Sequence, residues 1–148
     1  MRIALASDHA GFELKQRLVE HLRARHEVFD LGPADPGRVD YPDFAVKVGQ
    51  AVTGGTAEVG VLVCGTGIGI SMAANKLPGV RAALCHDDFT ARMARAHNDA
   101  NVLCLGARVI GEGTALSAAD AFLETAFEGG RHADRVQKIH RLDGWNGG

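Results

Sequence analysis

The chain reads as an α/β domain, a Rossmann-like three-layer sandwich around a five-stranded parallel sheet. Short apolar runs alternate with longer amphipathic ones from end to end, the pattern of strand–helix–strand units. The run Val59 to Cys64 is almost wholly apolar, as in a central parallel strand covered on both faces. One core of this kind takes up all 148 residues, so residues 1–148 are read as a single domain.

Ile3-Ala4-Leu5-Ala6 is the first buried strand. A helix from Gly11 to Arg25 follows, with Leu14, Leu18 and Leu22 on one face at i, i+4 and i+8. Glu27 to Leu31 is the second strand, ended by Gly32-Pro33. After a loop rich in Pro, Gly and Asp, Tyr41-Pro42-Asp43 opens a helix with proline in its first turn. Phe44, Val48, Ala51 and Val52 give that helix its core face. Val59 to Cys64 is the third strand, and a glycine-rich turn leads into a helix from Ile70 to Lys76. Arg81 to Cys85 is the fourth strand; Asp87-Asp88 then starts a helix with Phe89 and Met93 inward. Val102 to Leu105 is the fifth strand, followed by a helix from Thr114 to Phe127 using Leu116, Ala119, Phe122 and Leu123. Beyond Gly129-Gly130 a short helix carries Val136 and Ile139, and the tail Asp143 to Gly148 reads as frayed, with Trp145 docked on a neighbour or exposed.

Charge is nearly balanced, with 16 Lys and Arg against 18 Asp and Glu, so no global field draws in nucleic acid or anionic lipid. No apolar stretch approaches the roughly 20 residues that cross a bilayer, and the start Arg2 to His9 has no signal-peptide pattern. A cytoplasmic protein with neither a nucleic-acid nor a membrane partner is expected. Cys64, Cys85 and Cys104 lack disulfide or zinc-finger spacing, and buried cysteines acting as small hydrophobes are the ordinary reading. No His, Cys and carboxylate set falls at metal-ligand spacing along the chain, so neither a metal nor a cofactor is expected.

In open parallel sheets ligands bind beyond the carboxyl ends of the strands. There the sequence places Ser7-Asp8-His9, Cys64 to Gly69, His86-Asp87-Asp88 and the Gly106–Arg108 turn. The strongest segment is Cys64-Gly65-Thr66-Gly67-Ile68-Gly69-Ile70-Ser71, running from a strand end into a helix. Its glycines permit a tight turn, and the N–H groups at the helix's positive end suit an oxyanion. It lacks the Gly-Lys-Ser/Thr of a Walker loop and the G-x-G-x-x-G spacing of a dinucleotide site. A cysteine just before such donors has a physical reason to ionise. A thiolate with an oxyanion cradle suits nucleophilic attack on a carbonyl or removal of a proton beside one. The segment also fits a tight turn with a buried cysteine.

Other candidates carry equally ordinary readings. His97 shares a helical face with Phe89 and Met93 and is either a core-margin histidine or an acid–base group. Asp8 is either a cap for the following helix or a substrate contact. Arg131, Arg135 and Lys138, at i, i+4 and i+7, form a solvated basic face or a phosphate clamp.

Five stretches together resemble the type B ribose-5-phosphate isomerases, relatives of the galactose-6-phosphate isomerase subunits. They are Ser7-Asp8-His9-Ala10-Gly11, Asp40-Tyr41-Pro42-Asp43, Cys64 to Gly69 with Asn75-Lys76, His97 to Asn101, and Gly129-Gly130-Arg131-His132 with Arg135. They occur in family order and span nearly the whole chain. The resemblance implies a metal- and cofactor-free aldose–ketose isomerase for ribose 5-phosphate. It also implies a dimer or dimer of dimers with shared active sites. Carried over by position, Cys64 is the base between C2 and C1, and the Thr66 hydroxyl with the backbone of Gly65, Gly67, Ile68 and Gly69 holds the oxyanion. His97 opens the furanose ring beside Asn98, Asp8 and Tyr41 meet sugar hydroxyls, and His9, Arg108, Arg131 and Arg135 hold the phosphate. A hexose 6-phosphate substrate (allose or galactose 6-phosphate) and a non-catalytic sugar-phosphate- or nucleotide-binding domain are the alternatives. With Cys64 and His97 in one chain, an enzyme that needs no unlike subunit is expected, and the resemblance implies that a second copy of the chain brings His97 and Asn98 to each pocket.

Overall fold

A computed structural model describes residues 1–145. Eleven elements follow in order: β1 (Arg2–Ser7), α1 (Phe12–Arg23), β2 (Glu27–Asp30), α2 (Tyr41–Thr53), β3 (Val59–Cys64), α3 (Ile68–Ala74), β4 (Ala82–Leu84), α4 (Asp88–Asn98), β5 (Val102–Gly106), α5 (Glu112–Glu124) and α6 (Arg131–His140). The five strands form one sheet in the order β2-β1-β3-β5-β4, all parallel. The expected α/β sandwich is thus present, with element ends shifted by a few residues. The glycine-rich helix begins at Ile68 rather than Ile70, and α5 stops at Glu124 rather than Phe127.

Alternation along the strands sorts the core into two layers. Ile3, Leu5, Val61, Val63, Leu103 and Leu105 face α1, α4 and α5, while Ala4, Ala6, Leu62, Cys64, Val102 and Cys104 face α2 and α3. Connections that step one way across the sheet place their helix on one face, and those that step back use the other, as right-handed crossovers require. From β1 the chain moves outward to β2, then returns past β1 to β3, so the β1–β3 boundary is a switch point where a crevice opens.

The helix α1 buries Leu14, Leu18 and Leu22 as its spacing predicts, but it also buries Lys15, whose exposure is 0%. The Lys15 ammonium donates to both Asp30 oxygens at 2.6 and 2.8 Å and to the Pro33 carbonyl at 3.0 Å, tying α1 to the end of β2. The expectation that Phe89 points inward is overturned: Phe89 is 65% exposed and Met93 only half-buried. The face of α4 that meets the core is made of Ala91 and Ala94, small residues that let the helix lie close to α5. On α6, Val136 and His132 are buried while Ile139 is exposed. The tail is tied down at its start, where Asp143 accepts the Gly79 N–H at 2.8 Å; Trp145 is exposed, and positions 146–148 lie outside the described residues.

Candidate active site

Cys64 ends the central strand at the switch point, its side chain on the α2–α3 face and nearly buried. The chain turns at once through Gly67, whose φ of 76° lies in the left-handed region. A Cβ there would also stand 2.5 Å from Leu84 Cδ1, so residue type and turn are matched. The turn aims the Gly67 N–H at the sulfur, at 3.1 Å. Such a donor interacts more strongly with a sulfur that carries negative charge. The exposed Thr66 accepts the Ile68 N–H at 3.2 Å, which fixes its hydroxyl at the mouth of the turn. Burial pushes the Cys85 thiol up to about 11 and raises that of Cys104 further, so both stay neutral packing groups.

Four sequence-predicted residues surround this turn. Asp8, buried just beyond the end of β1, accepts the Gly11 N–H at 3.0 Å and so closes the turn that leads into α1. His9 is half-buried and pairs through Nδ1 with the Val39 backbone, its carbonyl at 3.2 Å. The Tyr41 ring lies across Gly69 so closely that a Cβ on residue 69 would stand 2.6 Å from Cζ. Arg108 is held by its backbone N–H on the Gly65 carbonyl at 2.9 Å, with its guanidinium beside Gly65.

His97, Asn98, Arg131 and Arg135 are not brought to this crevice. Helix α4 starts at the carboxyl edge of the sheet and runs back over 11 residues, about 16 Å of helix, so its last turn reaches the opposite edge. Asn98 there shares a cavity of about 490 Å³ with Val80, Arg81 and Asn75, which precede β4 or end α3. Beside it, His97 stacks on His132 with ring centroids 4.2 Å apart and planes 10° from parallel. Glu128 reaches both rings, its Oε2 lying 3.8 Å from His97 Nε2 and 3.6 Å from His132 Nε2. Burial holds the His132 imidazole below its ordinary value, and the charges of His97, Arg131 and Arg135 act the same way against Glu128. Spacing along the sequence shows no such cluster, because Glu128 and His132 join His97 only when α6 packs on α4.

Residues 3–139 match the model of the ribose/galactose isomerase family. The ribose-5-phosphate isomerase B of Escherichia coli K12 is 47% identical over 143 residues, covering 96% of each chain. Among solved structures, the Clostridium thermocellum ribose-5-phosphate isomerase B superposes with a TM-score of 0.96 at 50% identity, over 97% of this chain and 98% of that one. The Mycoplasma genitalium ribose-5-phosphate isomerase B, solved with bound ribulose-5-phosphate, gives a TM-score of 0.94 at 44% identity, over 98% of this chain and 97% of that one.

Proposed function

The chain belongs to the ribose/galactose isomerase family, and on that premise we propose that it interconverts D-ribose 5-phosphate and D-ribulose 5-phosphate through a cis-enediolate. The observation that carries the reading is the Cys64 sulfur, near-buried at the switch point and facing the Gly67 N–H at 3.1 Å. As thiolate it takes the C2 proton of the open-chain aldose. The C–H electron pair becomes the C1–C2 double bond, and negative charge moves onto O1, where the turn's N–H groups and Thr66 stabilise it. Transfer of the O2 proton to O1 and return of the carbon proton to C1 then give the ketose. Asp8 Oδ1 is engaged with Gly11, which leaves its second oxygen for a sugar hydroxyl; Tyr41 closes the same side. His9 and Arg108 contact the phosphate from this chain.

Ring opening needs a separate acid that protonates the ring oxygen, and His97 suits it. Because His97 lies at the other edge of the sheet, one chain does not close a site by itself. In this reading the chain works as a homodimer in which a second copy offers His97, Asn98, Arg131 and Arg135 to the Cys64 crevice. Exposed Ile68 and Met72 on α3 and Phe89 at the start of α4 support it, since they leave apolar surface uncovered on the helices that follow β3 and β4. Among the described residues no helix is long and apolar enough to cross a membrane.

The test is ketose formation by purified protein on ribose 5-phosphate and allose 6-phosphate, beside Cys64→Ser. Turnover of the pentose, lowered about 10²–10⁴-fold in the variant, is expected for a positioned base. Activity on the hexose alone moves the substrate and keeps the chemistry. A folded protein inactive on both contradicts the proposal.

A further inference from the structure

We propose that His97, Glu128 and His132 form a binding site for a divalent transition-metal ion of the zinc class, and that occupancy withdraws His97 from catalysis. The ligand atoms of the three residues lie within 4.8 Å of one another. Zinc with bonds of about 2.0–2.2 Å needs neighbouring ligand atoms about 3.3–3.6 Å apart in a tetrahedron. The 3.8 and 3.6 Å between Glu128 Oε2 and the two Nε2 atoms are therefore within a few tenths of an ångström of that spacing, and the two imidazoles, within 4.8 Å of one another, have to close further on each other. The rings are stacked rather than convergent, so closing on an ion takes a rotation of the imidazoles about χ2.

The backbone already holds the three together. The Glu128 N–H donates to the Ala96 carbonyl at 3.0 Å, and the His132 N–H to that of Gly129 at 3.0 Å. The His132 side chain is 9% exposed and that of Glu128 58%, so the ion enters from the Glu128 side onto a partly dry floor. Two imidazoles and one carboxylate suit zinc, cobalt or nickel and not magnesium or calcium, which prefer all-oxygen sites. Three protein ligands leave the fourth position open for water. A metal on Nε2 of His97 occupies the lone pair through which that ring takes up and hands on a proton. The inhibitory half of the proposal rests on the reading of His97 as the ring-opening acid; the binding half does not.

The experiment is calorimetric titration of the full-length protein with zinc chloride, and an absorption spectrum with cobalt(II), on wild type, Glu128→Gln, His132→Asn and Cys64→Ser. Residues that merely orient metal ligands are worth about 10–100-fold in affinity, so loss of a ligand is expected to weaken zinc at least about tenfold. Expected are one ion per chain, weaker binding in Glu128→Gln and His132→Asn, and unchanged binding in Cys64→Ser. The cobalt form should show visible bands without thiolate charge transfer. Zinc should slow ribose 5-phosphate turnover in wild type, and Glu128→Gln, read against its own zinc-free rate, should need more zinc for the same fractional loss. Equal affinity across wild type, Glu128→Gln and His132→Asn, or binding that vanishes in Cys64→Ser, overturns the site. Binding at these ligands with full activity retained overturns the inhibitory half alone. Inactivity without zinc counts against the isomerase reading and leaves the binding result standing.

Discussion

Cys64 and Cys104 show how position decides what one side chain does. Both face the same layer from adjacent strands, but Cys104 is enclosed on every side, whereas Cys64 meets a turn that offers it an N–H donor. The sequence made Cys64 legible because its glycines follow within a few residues. The Glu128–His132–His97 group was not legible, since its members are joined by packing and only the i, i+4 spacing of Glu128 and His132 hints at it. His132 also carries a prediction about pH. Its folded value is lowered by burial first, then by the charges of His97, Arg131 and Arg135, against Glu128. Between that value and the ordinary 6.5 the unfolded chain holds a proton that the folded chain does not. Stability is therefore unaffected above that window and falls as pH drops through it. Urea midpoints of wild type and His132→Asn between about pH 7.5 and 5.5 check this. The wild type should lose stability more steeply, and parallel slopes would contradict the assignment.

Among the elements, those with regular apolar spacing read correctly and those shaped by tertiary demands did not. The Leu14–Leu18–Leu22 face of α1 and the all-apolar strand β3 followed directly from periodicity. Lys15 was invisible to it, because a lysine on a core face makes sense only once Asp30 and the Pro33 carbonyl arrive from β2 and its loop. Phe89 misled for the opposite reason: a large apolar residue on an amphipathic helix suggests a core, yet alanines make the contact and Phe89 is left outside. Removing one partner from a buried ion pair strands the other, at about 3–5 kcal/mol when both are enclosed. The Asp30 side chain is 23% exposed, so Asp30→Asn should cost less, about 2–3 kcal/mol. Lys15→Met combined with Asp30→Asn should recover most of the loss. Denaturant titration of the single and double variants decides it, and a single variant as stable as wild type would show that the pair does not hold β2 to α1.

At the scale of the whole molecule, the parallel sheet was legible but its order was not. That β5 inserts between β3 and β4 depends on which strand edges remain open after the first crossovers, and no local pattern encodes this. The same architecture separates the two groups of candidate residues. Cys64 crowns the carboxyl edge, while α4 carries His97 to the other. With both residues in one chain, no unlike subunit is needed, and their placement at opposite edges supports the proposal that each copy contributes to two sites. The central claim is therefore that catalysis joins the Cys64 of one copy to the His97 of another.

Co-expression of Cys64→Ser with His97→Asn tests that claim most directly, with assembly and ribose 5-phosphate turnover measured on the mixed protein. If sites are shared, half of randomly paired dimers are mixed and each holds one intact site, so activity should return to about a quarter of wild type from two nearly inactive parents. A mixed dimer as inactive as either parent would mean that Cys64 and His97 must act from the same chain, and the shared-site account would be wrong.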